Sequence, residues 1–276
     1  MVRVPIKPRL LEWACERAGV DPAALDKRFP KIEEWLSGEA HPTFRQVEEF
    51  ARATHTPVGY LFLDEPPAEP VPIPDFRTVK SDRLGRPSPN LLDTIYLCQQ
   101  RQDWYRQYAQ MSGEEPIDFV GSKTTKSDVV AAAAGIRRAL RLHTADLADA
   151  ADIDGAIRVM LDHADEAGVL VMVSGVVGSN THRPLDPAEF RGFALADSFA
   201  PLVFVNGADT KAGQMFTLAH ELAHLWLGAS GLSDMTTASQ PRAAVEKWCN
   251  AVAAEALVPL DEFQVVLQRD EDLWQA

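Results

Sequence analysis

The chain has 276 residues, 46% hydrophobic and 24% charged, with a formal net charge of −13. That length and balance suit a globular protein of one large or two ordinary domains, able to fold without a disulfide or metal staple. The acidic total argues against a general phosphate-binding surface, which needs clustered Lys and Arg. The three scattered cysteines, Cys15, Cys98 and Cys249, read as reduced thiols of a cytoplasmic protein. No stretch reaches the ~20 apolar residues of a membrane span, and the opening MVRVPIKPRLLEW lacks a signal-peptide run, so no membrane association is expected.

Short helices are expected over residues 8–63. Leu10, Leu11, Trp13, Ala14 and Ala18 fall at helical spacing and Gly19 follows as a stop. Asp21-Pro22 opens a second helix, Ile32, Trp35 and Leu36 share the face of a third, and Pro42-Thr43 opens a fourth carrying Val47, Phe50 and Ala51. Residues 64–75 hold five prolines in twelve positions, a density that forbids helix and predicts an extended connector, so a domain boundary falls here. With the loop-like 80–89, the linker is taken as 64–89, between a helical module at 1–63 and a second domain at 90–276.

An amphipathic helix is predicted over 90–111 and two more over 126–141 and 152–166, the last ending at Gly168 and feeding a buried strand at 169–173. Two further strand candidates follow, Phe193-Ala194-Leu195 and Leu202-Val203-Phe204-Val205. Helices close the pattern at 211–228 and 242–257. The fold class is therefore α+β, a helical N-terminal module followed by a domain with a small sheet.

The chemistry sits in TLAHELAHLWLG, residues 217–228. Positions four apart lie on one face of a helix, so His220 and His224 can aim at a single metal ion. Glu221 is turned about 100° away, which suits a carboxylate that reaches a water and not the metal. Two histidines on zinc need a third protein ligand and leave a fourth position open. The 242–257 helix offers Glu246 and Glu255, nine residues apart. Glu246, which opens an ExxxN pattern with Asn250, is the preferred ligand. Glu255 is a candidate hydrogen-bond partner for a ligand histidine. A buried helix carrying two histidines and a glutamate without a metal would strand costly polar groups. Arg191 and Asn206 are candidates for orienting a substrate backbone, and His182 for stabilising an oxyanion. Cys249 reads as packing.

Residues 191–259 resemble the ImmA/IrrE metallopeptidases through RGFAL at 191–195, PLVFVN at 201–206, FTLAHELAHLWLG at 216–228 and EKWCNAVAAEALVP at 246–259. The resemblance implies a minimal zincin domain with its metal core at 169–259, Zn²⁺ held by His220, His224 and Glu246, and Glu221 as general base. It also implies a narrow protein substrate, a helix-turn-helix repressor cleaved in a stress or mobile-element response. An extended substrate segment could pair with RGFAL or 202–205 if one of them lies at the sheet edge; otherwise both are internal.

The N-terminal module resembles an XRE-type helix-turn-helix through Trp35, Gly38, Pro42 and Thr43 in IEEWLSGEAHPTFRQVEEFARATHTPVGYLF. The stretch that would meet DNA, KRFPKIEEW at 27–35, carries a proline and two glutamates, and residues 1–60 hold nine Lys or Arg against nine Asp or Glu. Protein docking is therefore favoured over DNA binding. The alternative function is a DNA-binding regulator whose zincin domain is a sensor or inactive. Family members often continue past residue 276, so a shortened chain or a short member is expected. The oligomeric state is open.

Overall fold

Caps written into the sequence set most of the helix boundaries. The structure, a computed structural model, describes residues 3–74, 87–143, 152–233 and 241–264. It divides into two compact units, Met1–Val71 with Gly85–Asp93 and Pro72–Leu84 with Thr94–Ala276. Most of the loop expected at 80–89 and the final residues from 265 onward lie outside the described residues.

In the first unit, α1 (Pro8–Ala18) starts with proline at its first position and stops at Gly19. A 3-10 turn, Pro22–Leu25, is capped by the Asp21 carboxylate, which accepts the Ala23 N–H. After α2 (Ile32–Leu36), α3 (Phe44–Ala53) opens on a reciprocal capping box: Gln46 N–H donates to the Thr43 hydroxyl, while the Gln46 side chain accepts from Thr43 N–H. A second 3-10 turn runs over Val58–Phe62. Leu10, Leu11, Trp13, Phe29, Ile32, Trp35 and Phe50 bury one core, with Phe29 edge-on to Phe50. Residues 64–70 form neither helix nor strand but are tied back to α1. Asp64 pairs with Lys7 and Glu65 with Arg9, both exposed, and Glu69 takes the buried Arg17 guanidinium.

The long helix α4 (Pro89–Ser112) leads into the second unit. There α5 (Val129–Ala139) and α6 (Ile153–Glu166) are capped by Asp128 and Asp152. A four-stranded mixed sheet follows, in the order β1-β5-β4-β6. β1 (Leu170–Ser174) runs parallel to β5 (Leu202–Asn206), while β4 (Gly192–Leu195) is antiparallel to β5 and to β6 (Gly231–Ser233). Every residue of β4 and β5 is buried, which is why both read as continuous apolar runs and not as alternating ones. Both strands are therefore internal, and the outer strands of this described sheet are β1 and β6. The sequence left 174–190 without strands, yet β2 (Val176–Val177) and β3 (Asn180–Pro184) form a separate, irregular hairpin. Its polar, largely exposed β3 and broken register explain why no period-2 pattern marked it.

Helix α7 (Lys211–Leu227) packs on β4 and β5, and α8 (Pro241–Leu257) packs on α7 and α5. Leu218, Leu222 and Leu225 of α7 join Ala194 and Val203 of the sheet and Val252 and Ala256 of α8 in one core. The C-terminal turn of α7 is clamped from outside. Gly121 and Lys123 donate their N–H groups to the carbonyls of Leu225 and Trp226, and Phe119 stacks on Trp226 at 4.0 Å. Gly228 ends the helix at φ 65°, a value few side chains tolerate, and an added Cβ would come within 3.0 Å of Gly121. Among the described residues, no helix is long and apolar enough to cross a membrane.

Candidate metal centre

Thr210 starts the central helix by accepting the Gly213 N–H, and the run from Thr217 to Trp226 is buried throughout. Such a helix has no solvent face, so its polar side chains must find partners inside the protein. His220 and His224, one turn apart, meet edge-on with ring centroids 4.9 Å apart and their Nε2 atoms 3.1 Å apart. Phe216, one turn earlier, lies against the His220 ring.

The neighbouring helix supplies the third group. Glu246 of α8 places Oε2 3.2 Å from His220 Nε2 and Oε1 3.2 Å from His224 Nε2. His220, His224 and Glu246 are 3%, 0% and 5% exposed, so solvent does not solvate their polar atoms. Burial lowers the His224 pKa, which keeps that imidazole neutral at pH 7, with a lone pair to donate. Burial pushes the Glu246 carboxyl up, but hydrogen bonds from the two imidazoles outweigh it and hold the group at about 2. Neutral imidazole and ionised carboxylate are the forms that ligate metal.

The spacing fits a small divalent cation. Four ligands arranged tetrahedrally at about 2.0–2.1 Å stand roughly 3.3 Å from one another. The three separations here, 3.1, 3.2 and 3.2 Å, match that value. Among the described residues these three form the only group of histidine, cysteine or carboxylate side chains convergent enough to hold a metal ion.

Glu221 follows His220 on the helix and is fully buried. One carboxylate oxygen faces β4 at Gly192, where an added Cβ would lie 3.2 Å from Oε1, 2.5 Å from Thr217 Cγ2 and 2.7 Å from the Phe204 carbonyl oxygen. Strand and helix therefore touch through a bare backbone. The glycine of RGFAL was visible in the sequence, but its role as the contact point with Glu221 was not; a glycine inside an apolar strand was the available signal.

The other candidates lie elsewhere. Glu255 accepts the Leu260 N–H at 3.3 Å and lines a cavity of about 430 Å³ with Arg137, Arg138 and Arg141, apart from the three-residue cluster. His220 Nδ1 has no hydrogen-bond partner among the described residues. Asn250 is half-buried one turn beyond Glu246. Asn206 is fully buried and its amide serves the backbone, donating to Phe190 O and accepting from Ala208 N–H. Arg191 lies 3.7 Å from Asp209, just before α7. His182 is exposed on β3. Cys249 is buried, and burial together with the Glu246 and Glu221 charges drives its thiol pKa well above the ordinary value, so it packs as a neutral thiol.

Residues 164–273, less than half of the chain, match the Peptidase_M78 family model, described as the IrrE N-terminal-like domain. The match supports a metallopeptidase domain of the ImmA/IrrE type in that part of the chain. No curated protein matches the sequence.

Proposed function

We propose that the protein is a zinc-dependent endopeptidase of narrow specificity, acting in the cytoplasm on a helix-turn-helix repressor of the XRE type in a stress or mobile-element response. The observation that carries this reading is the convergence of His220, His224 and Glu246 at 3.1–3.2 Å, with Glu221 on the adjoining helix position. Two imidazoles and one carboxylate are the donor set of zinc peptidase sites that keep a ligand position open. When bound, the zinc supplies a Lewis acid and lowers the pKa of a water it binds.

The chain's own residues do the rest. Glu221 accepts a proton from the attacking water as its oxygen bonds to the scissile carbonyl carbon. The same carboxyl then gives that proton to the departing amine nitrogen as the C–N bond breaks, leaving a carboxylic acid and an amine. Packing of Glu221 against the bare backbone at Gly192 restricts where its carboxylate can go, so proton transfer needs no search over rotamers. The buried setting strengthens each charge interaction in the site and favours a substrate that fits over any passing peptide. The N-terminal helices, with balanced charge, serve as a protein-docking module for that substrate.

The test is incubation of the metal-loaded chain with XRE-type repressors, with and without chelator. Cleavage is expected only without chelator. Glu221→Gln should retain about one metal per chain and lose cleavage by 10²–10⁴-fold, the usual contribution of a general base. Undiminished cleavage by Glu221→Gln, or in chelator, would overturn the mechanism.

A further inference from the structure

The four-stranded sheet of the second unit has an open edge. β1 pairs with β5 on one side: Leu170 N–H donates to Pro201 O, and Gly207 N–H donates to Ser174 O. Backbone groups alternate in direction along a strand. Leu170, Met172 and Ser174 therefore bond toward β5, while Val171 and Val173 turn their N–H and C=O groups outward. Among the described residues these outward groups have no hydrogen-bond partner. Folded proteins usually blunt such an edge with lysine, proline, a bulge or a very short strand. The other outer strand, β6, has only three residues. β1 has five, Leu-Val-Met-Val-Ser, without a charge, a proline or a break in register, and Val173 is 40% exposed.

A cavity of about 330 Å³ lies against this edge, walled by Leu97, Cys98 and Arg101 of α4 and by Met172, Val176 and Phe204 of the strands. Met172 neighbours Phe204 across the sheet and touches the Cys98 sulfur at 3.7 Å, so the cavity is on the α4 face. A strand laid beside β1 turns every second side chain toward that face, next to Met172. Most of the wall is apolar. Arg101 rests on the Met172 sulfur at 3.3 Å, and no acidic residue lines the cavity beside it. The occupant follows from these groups. Outward N–H and C=O pairs about 6.6 Å apart match the repeat of another extended backbone. The cavity admits an apolar side chain, and Arg101 calls for a carboxylate. A second copy of β1 brings none, because its five residues are uncharged.

We infer that the β1 edge is a peptide-binding groove. It takes an extended segment of a partner protein as an added strand, with an apolar side chain in the cavity and an Asp or Glu paired with Arg101. β5 lies between β1 and β4, the strand that touches Glu221, so the groove is separate from the residues proposed to do the chemistry. Binding is therefore read apart from cleavage, on the full metal-loaded Glu221→Gln chain. Panning a library of random octapeptides should enrich sequences that alternate apolar residues and carry Asp or Glu. A synthetic copy of a selected peptide should protect the Val171 and Val173 amides from hydrogen exchange. N-methylation of one alternate set of its amides should weaken binding about tenfold, through lost edge hydrogen bonds. Val173→Pro removes an outward donor where an edge strand tolerates proline, so it should abolish binding and keep the thermal transition. Arg101→Glu, at an exposed residue, should switch the selected charge from acidic to basic. The inference is overturned if no sequence is enriched, if binding survives N-methylation of either set of amides, or if selection ignores Arg101→Glu. A free chain that sediments as a dimer and is dissociated by Val173→Pro also overturns it, with a second copy as the occupant.

Discussion

At the scale of single residues, the choice between two glutamates on one helix decides what the site can be. Glu246 and Glu255 are nine positions apart, about half a turn out of phase on the helix, so both cannot face the same histidines. Only Glu246 reaches them, at 3.2 Å, while Glu255 accepts the Leu260 N–H and lines a cavity of mixed charge. Glu246→Ala should therefore strip metal from the purified protein, and Glu255→Ala should leave it stoichiometric; metal analysis of the two variants reads this directly. Equal metal loss from both would break the distinction. Gly192 gives a second residue-level outcome. A methyl group there would stand 2.5 Å from Thr217 and 2.7 Å from a backbone carbonyl, so strand and helix must separate. Gly192→Ala should cost about 1–3 kcal/mol of stability. It should also lower cleavage by about a hundredfold through displacement of Glu221, with metal still bound. Retained activity alongside a lowered thermal midpoint would show that Gly192 serves packing alone.

Elements differ in how plainly the sequence announces them, and the reason is physical. Helix α7 was legible because its signals are contiguous, an apolar run with two histidines one turn apart; its bounds, the Thr210 cap and the left-handed Gly228, come from the structure. The hydroxyl of Thr210 accepts an N–H that would otherwise have no helical partner, so Thr210→Ala should destabilise the second unit by about 1 kcal/mol, measurable as a shift in its denaturation midpoint. No shift would mean that water caps the helix equally well. The two internal strands were also legible, as apolar runs, but their order in the sheet was not. A strand buried on both faces looks the same beside one neighbour or between two, so nothing in RGFAL or LVFVN said that β4 and β5 were both interior. β6 has only three residues, too few for a period to show. The proline-rich segment read as an extended connector from its composition. Composition could not show that residues 64–69 return to Lys7, Arg9 and Arg17, because those ion pairs span more than fifty positions.

For the whole molecule, the metal's role in stability follows from where its ligands come from. Two lie on α7 and one on α8, and the packing of these two helices forms much of the second unit's core. Without a cation, two imidazole nitrogens and a carboxylate sit 3.1–3.2 Å apart on side chains that are almost fully buried. A metal that binds this folded arrangement and not the unfolded chain stabilises the fold by mass action, by about 4 kcal/mol when free metal exceeds its dissociation constant a thousandfold. In a unit of this size each kcal/mol moves the thermal midpoint by about 2–4 °C, so stripping the metal should lower the transition by roughly 10 °C. The shift belongs to the second unit, because the three ligands found among the described residues all lie there. Its transition, followed by a probe confined to residues 1–71, should stay where it is. Re-addition of zinc should restore the lost stability in the wild-type chain and in Glu221→Gln, but not in Glu246→Ala. If chelation removed a stoichiometric metal and left the second transition unmoved, α7 and α8 would be held by apolar packing alone. The cation would then serve chemistry without serving the fold.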